Sequence, residues 1–297
     1  MKIYDCFMFS DEKMLLDIRL NTLNKFVDKF IITEATYLHN GESKKLNFNI
    51  NDFSKFKNKI EYIVVENQPS SIILEDENDN LIKRDEKKIF NSIQRDNYQR
   101  EQLISGLKKL DEDDIIIISD LDEIPNLNNF NLKEINNEII VFKQKMFYYK
   151  LNLVYENFIW FGSKALKKKN FISPQWLRNI KNKTYPFWRL DTLFSKKKYN
   201  NIKFIENGGW HFTCIKEPID IHKKLLTFAH HQDYERSNIS LFDLEKKVKE
   251  KRVLYDHKTD KKNESKWFSD EILKKIELKY LPNIILQNKT KFQNWLD

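Results

Sequence analysis

Four consecutive isoleucines, Ile115, Ile116, Ile117 and Ile118, run directly into Ser119-Asp120-Leu121-Asp122-Glu123-Ile124-Pro125. A short, unbroken β-branched run fits a strand buried on both faces, which usually means a parallel sheet covered by helices. Strand and helix signals alternate ahead of it. Residues 3–9, 29–33 and 60–65 read as strands, and 11–26 and 86–110 as helices. Ser10 or Asp11 is available as N-cap for the first helix, and 75–85 reads as a polar surface loop. This alternation points to an α/β fold with right-handed crossovers. The second half is less regular: 138–151 reads as a strand pair or a strand and turn, and 158–163 and 203–206 as strands. Residues 219–231, 241–254 and 270–280 read as helices.

The 297 residues, 40% of them hydrophobic, suffice for one large core or a main domain with an appendage. Lys and Arg exceed Asp and Glu by 52 − 44 = 8. Such a balance suits a solvated, Lys-rich surface, or attraction to an anionic diphosphate or membrane leaflet. The runs Lys167-Lys168-Lys169 and Lys196-Lys197-Lys198 are short, and nothing resembles a nucleic-acid-binding signature, so no nucleic-acid partner is expected. Two cysteines, Cys6 and Cys214, exclude a disulfide scaffold. The first residues read as neither a secretory signal nor a transit peptide, and no apolar run approaches the roughly 20 residues that span a bilayer. The expectation is a cytoplasmic chain with at most peripheral membrane contact.

In an extended chain Asp120 and Asp122 point to the same side. Carboxylates so close repel unless a cation lies between them. Oxygen ligands suit Mg²⁺ or Mn²⁺, which usually complete their shell with water and substrate phosphates. In open α/β sheets ligands bind outside the carboxyl ends of the strands, where this motif lies. The plainer alternative is an acidic loop capping a strand. Two families share a strand ending in Asp-x-Asp. Haloacid-dehalogenase-type phosphohydrolases use the first Asp as nucleophile, here Asp120, but their motif normally opens the domain. Glycosyltransferases of the GT-A type place it after a first nucleotide-binding half, as here.

Further segments add to this. They are Tyr4-Asp5-Cys6-Phe7, Asp17-Ile18-Arg19-Leu20-Asn21, Glu34-Ala35-Thr36, Arg95-Asp96-Asn97-Tyr98-Gln99-Arg100 and Gly208-Gly209-Trp210-His211-Phe212. Together with the acidic motif they resemble, in order, glycosyltransferase family 17, the β-1,4-mannosyl-glycoprotein β-1,4-N-acetylglucosaminyltransferase-like enzymes. The resemblance implies a GT-A fold, a Rossmann-like, mixed but mostly parallel sheet flanked by helices. The catalytic domain would span 1–231, with a nucleotide-binding half over 1–125 and an acceptor-binding half over 126–231. A helical C-terminal extension over 232–297 would pack on the same domain. The implied activity is inverting transfer of a sugar, GlcNAc from UDP-GlcNAc, with Mn²⁺ or Mg²⁺. The acceptor would be an oligosaccharide, polysaccharide or lipid-linked glycan. A non-catalytic carbohydrate-binding module is the remaining alternative.

Roles follow for individual residues. Asp122 is the first choice for direct metal contact, with Asp120 binding metal, ribose or both. Glu123 either joins the site or anchors the turn. His211 follows two glycines, which suits close approach of backbone to a ligand. The resemblance to GT-A enzymes makes it the third metal ligand. Trp210 either stacks on a sugar or fills the core. Arg95 and Gln99 share a helix face, and Arg95 suits a donor phosphate. Glu34, at a strand end, would accept from the base or ribose. An inverting transfer needs a general base. Glu217, at a helix start, is the candidate, with Asp191 and Asp220 as rivals. His230 and His231 read as helix C-terminal residues complementing the dipole.

Overall fold

The computed structural model describes residues 1–128, 130–136, 138–186, 188–192, 194–228, 231–257, 267, 269 and 271–297. The first half is a run of β1 (Ile3–Met8), α1 (Lys13–Leu23), β2 (Lys29–Ala35), β3 (Ile60–Val65), α2 (Leu81–Glu101) and β4 (Ile115–Asp120). After the acidic turn come β5 (Glu123–Pro125), β6 (Ile139–Tyr148), β7 (Leu153–Lys167), α3 (Pro174–Asn179), β8 (Ile202–Ile205) and β9 (Gly209–Thr213). The chain ends with α4 (Pro218–Thr227), α5 (His231–Arg236), α6 (Leu241–Lys249), β10 (Lys274–Lys275), α7 (Asn283–Gln287) and α8 (Lys289–Phe292).

One sheet runs β3-β2-β1-β4-β7-β6-β9-β5, with β10 on β7 and β8 on β6. Strands β1 to β4 are mutually parallel, so their carboxyl ends share one edge, with Met8 beside Asp120. The four isoleucines are fully buried. Ile115 and Ile117 pack into the core that contains α1, and Ile116 and Ile118 into the one that contains Leu103, Leu107 and Leu177. This is the period of two expected of a strand with a hydrophobic layer on each face. The surroundings are mixed rather than purely parallel, because β7 runs antiparallel to both β4 and β6. The expected α/β, Rossmann-like architecture is present.

Several expected boundaries shift. The long helix starts at Leu81, capped by the Asn80 side chain, so part of the expected loop is helical. It gives way to a 3₁₀ segment over Gln102–Leu107. The first helix is preceded by Glu12 rather than by Ser10 or Asp11, and makes no side-chain cap bond. The 219–231 helix divides into α4 and α5, with Ala229 and His230 outside the described residues. The helix expected over 270–280 is not formed by its described residues. Ile272 bridges Arg252, and Lys274 and Lys275 pair with Val154 and Leu153 on β7. Leu273 is buried there while the two lysines are exposed, so pairing to a sheet edge outweighs helical propensity. The C-terminal segment packs on the main core through Ile285 and Phe292.

Candidate functional site

The acidic motif is held from behind by Arg19, which is fully buried on α1. Its guanidinium binds the Asp5 carboxylate at 2.8 and 2.6 Å. Its remaining nitrogen donates to the carbonyls of Asp120, Leu121 and Glu123 at 3.1, 3.2 and 2.8 Å. Residues 121 and 122 form a turn, so the extended-chain argument for Asp120 and Asp122 pointing together does not apply. They meet different partners.

Asp120 accepts from Arg178 at 2.7 Å and from Arg100 at 3.1 Å, one through each carboxylate oxygen. Burial works against its charge, but the two guanidiniums outweigh it and hold its pKa below the usual carboxylate range. Arg100 also binds Asp96 at 3.0 Å. Glu123, fully buried, accepts from Arg178 at 2.7 Å on both oxygens, from Trp160 Nε1 at 2.5 Å and from the Asp120 amide at 2.9 Å. It therefore anchors the turn. A side chain at position 162 would interfere, since a Cβ there would lie 1.9 Å from Gln144 Oε1 and 2.9 Å from Glu123 Cδ.

Asp122 turns toward His211, with Oδ2 and Nε2 3.5 Å apart. Strand β9 explains this: Trp210 and Phe212 point into the core, so His211 faces the other way. It pairs with Glu123 across β5 and packs on Trp160, ring centres 4.8 Å apart. Burial opposes its protonation, but Asp122, Glu123 and Asp120 together raise its pKa. Its Nδ1 is buried without a hydrogen-bond partner.

Among the described residues, no group of three or more His, Cys, Asp and Glu side chains is placed to hold a metal alone. The Asp122–His211 spacing nevertheless suits two neighbouring ligands of one cation. Bonds of about 2.1 Å put such ligands about 3.0 Å apart at right angles and about 3.4 Å at tetrahedral angles. Four carboxylates, Asp96, Asp120, Asp122 and Glu123, stand here against the guanidiniums of Arg100 and Arg178. A divalent cation there would add to the positive charge facing these acids, with substrate oxygens completing its shell. Asp120, with both oxygens engaged, is poorly placed as a metal ligand or as a phosphohydrolase nucleophile.

Other expected residues serve the scaffold. Glu34 is fully buried and accepts from Lys44, the amides of Asn47 and Phe48, and Tyr62, which leaves it nothing for a nucleotide. Gln99 ties α2 to the Thr33 carbonyl at 3.1 Å. Arg95 binds Gln68 at 2.8 Å and the His39 carbonyl at 3.1 Å. Trp210 fills the core and donates to the Tyr280 carbonyl at 2.8 Å, so it is no sugar platform. The glycines before it bring backbone to backbone rather than to a ligand. Gly209 has φ +135°, and a Cβ there would lie 2.1 Å from the Ile124 carbonyl. Asp191 sits in an exposed 3₁₀ turn, bound locally to Arg189 at 2.7 Å and Lys198 at 2.6 Å. His231 packs at the start of α5, bonded to the Phe228 carbonyl, and His230 lies outside the described residues.

Glu217 is exposed at the N-cap of α4 without a side-chain cap bond. The same helix carries Lys224, which binds Glu12 at 2.9 Å. Burial works against the Lys224 charge, but Glu12 and Asp122 outweigh it and raise its pKa. Asp220, one turn in, is exposed and meets Lys223 at 3.5 Å. Sequence reasoning missed Arg100, Arg178, Trp160, Lys224 and the clamp made by Arg19. Only Arg19 and Arg100 carried any signal, as members of the ordered motifs.

The sequence profile of glycosyltransferase family 17 matches residues 1–296. No curated protein matches the chain. Among solved structures, the inositol-1-phosphate CTP transferase from T. maritima is a distant likeness. It covers 85% of this chain and 98% of that one at 13% identity, with a TM-score of 0.32. A family match over essentially the whole length settles the class: this protein belongs to glycosyltransferase family 17, and is an enzyme that takes a sugar donor and a glycan acceptor.

Proposed function

We propose that the enzyme transfers GlcNAc from UDP-GlcNAc, with inversion, to a hydroxyl of an oligosaccharide, polysaccharide or lipid-linked glycan. Asp122 and His211 would hold Mn²⁺ or Mg²⁺. The observation that carries this reading is the 3.5 Å approach of Asp122 and His211 beside the carboxyl edge of the parallel strands. When bound, the cation supplies positive charge to the departing diphosphate.

The chain's own residues supply the rest. Arg100 and Arg178 place positive charge at the same edge, which would act on donor phosphates through space, since Asp96, Gln175, Asp120, Glu123 and the Gly162 carbonyl take up their terminal N–H groups. Asp120 and Glu123 hold Arg178 in place, so the charge is oriented before the donor arrives, and preorganised charge of this kind is what speeds group transfer. Glu217, exposed at the start of α4, would take the proton from the acceptor hydroxyl. Half-buried Trp160 and Phe158, with ring centres 6.3 Å apart, offer apolar surface beside the His211 ring.

The test is UDP release from UDP-GlcNAc by purified protein, with and without Mn²⁺. Metal-dependent release that chelation abolishes supports the reading. Release indifferent to metal, or with another nucleotide-sugar strongly preferred, overturns the corresponding part of it.

A further inference from the structure

The described residues of 181–198 form a loop whose ends are joined by a hydrogen bond from the Lys181 amide to the Lys197 carbonyl at 2.8 Å. Its root is fastened. The buried Lys164 Nζ donates to the carbonyls of Arg178 and Ile180 at 2.8 and 2.6 Å, and Trp176 packs edge-on against Tyr199.

Three large apolar side chains of the loop are exposed. Trp188 is 67% exposed, Leu190 69% and Phe194 90%. One exposed apolar side chain needs no explanation, but three large ones on a single loop mark an interaction surface. Lysines flank them in the sequence: Lys181, Lys183, Lys196 and Lys197 are all exposed. From 181 to 198 there are six basic residues and one acid, a net charge of 6 − 1 = +5. That acid, Asp191, is already paired with Arg189 and Lys198.

We propose that this loop docks the enzyme on an anionic phospholipid surface. Trp188, Leu190 and Phe194 enter the boundary between headgroups and acyl chains, and the lysines meet lipid phosphates. Amphipathic aromatic rings and long basic side chains favour that boundary, because each has an apolar body and a part that stays wet. Nucleic acid would also attract the lysines and stack on the rings, but it gives Leu190 no apolar medium to enter. The loop follows directly on α3, the helix that carries Arg178, so docking would bring the donor edge of the sheet toward the bilayer. Among the described residues no helix is long and apolar enough to cross a membrane, so this contact would be peripheral. The proposal stands apart from the identity of the donor.

Vesicle co-sedimentation tests it, using phosphatidylcholine alone and phosphatidylcholine with one-third phosphatidylglycerol. The full chain should bind the anionic vesicles only, and release at high salt. Lys196→Gln/Lys197→Gln should weaken binding about thirtyfold, from a factor of about five for each basic residue lost. Leu190→Ala/Phe194→Ala should also detach the protein while its melting temperature and UDP release stay unchanged, since Leu190 is 69% and Phe194 90% exposed. Equal binding to both vesicle types overturns the proposal, as does wild-type binding by both variants. So does an absence of vesicle binding alongside lysine-dependent binding of a short single-stranded RNA.

Discussion

Asp5 and Arg19 form a fully buried ion pair, 2.6 Å at its shortest, that joins β1 to α1. The same guanidinium fastens three carbonyls of the acidic turn, so the shape of that turn depends on a residue about a hundred positions earlier. Removing one partner of such a pair leaves an uncompensated buried charge, typically at about 3–5 kcal/mol. Arg19→Met should therefore lower unfolding stability by that order in a urea titration. Arg19→Lys should recover little, because an ammonium cannot reproduce the fork to Asp5 and the three carbonyl contacts together.

Asp122 and His211 should behave differently from Asp120. Asp122→Asn and His211→Ala are expected to weaken Mn²⁺ binding by at least about 10–100-fold, the loss that disturbing an outer-shell partner alone already causes. Asp120→Asn should leave Mn²⁺ affinity within a few-fold while raising the KM for the donor, because it loosens Arg100 and Arg178. Electron paramagnetic resonance of Mn²⁺ and donor kinetics separate the two. Equal loss of metal binding by Asp120→Asn would place Asp120 in the cation's shell.

Glu217→Gln keeps size and hydrogen bonding but cannot accept a proton. General-base catalysis contributes about 10²–10⁴-fold, so kcat should fall by that order with donor affinity unchanged. If Asp220→Asn produces the drop and Glu217→Gln does not, the base belongs one turn further along α4.

Gly162 is required by its neighbours rather than by its backbone angles. A Cβ would overlap Gln144 Oε1 and crowd Glu123. Gly162→Ala should cost about 1–3 kcal/mol, in line with overpacking elsewhere. Gln144→Ala in the same chain should restore part of it, because the tighter contact then disappears. A double-mutant cycle in thermal denaturation reads the coupling directly.

Lys164 gives a dependence on pH. Burial is the main cause that pulls its pKa down to about 7, helped by the nearby Arg178. The unfolded chain keeps the ordinary value near 10.4, so between pH 7 and about 10 it binds more protons than the folded one. Stability from this group therefore rises with pH across that window, by at most about 1.4 kcal/mol per unit. Wild type minus Lys164→Met, followed by chemical denaturation from pH 7 to 9, should show that rise. A flat difference would mean Lys164 stays charged in the fold.

What local sequence decides was readable in advance. Ile115 to Ile118 can only be satisfied by burial, and the strand they form ends at Asp120, where the acidic turn begins. The alternation of β1, α1, β2, β3, α2 and β4 follows from side-chain periods of 2 and 3.6, which the chain carries without outside help.

What tertiary structure decided is which charges face each other. The identity of Glu34 as an acid at a strand end was visible, but not that Lys44, Tyr62 and two amides occupy it. The same holds for Arg178, which lies 58 positions from Asp120 and reaches it only because α3 packs against β4. Trp210 and His211 are neighbours in sequence, yet the strand turns one into the core and the other toward Asp122. Charge pairing acts over a few ångströms and is indifferent to sequence separation. The partners of these residues were therefore set when the sheet closed.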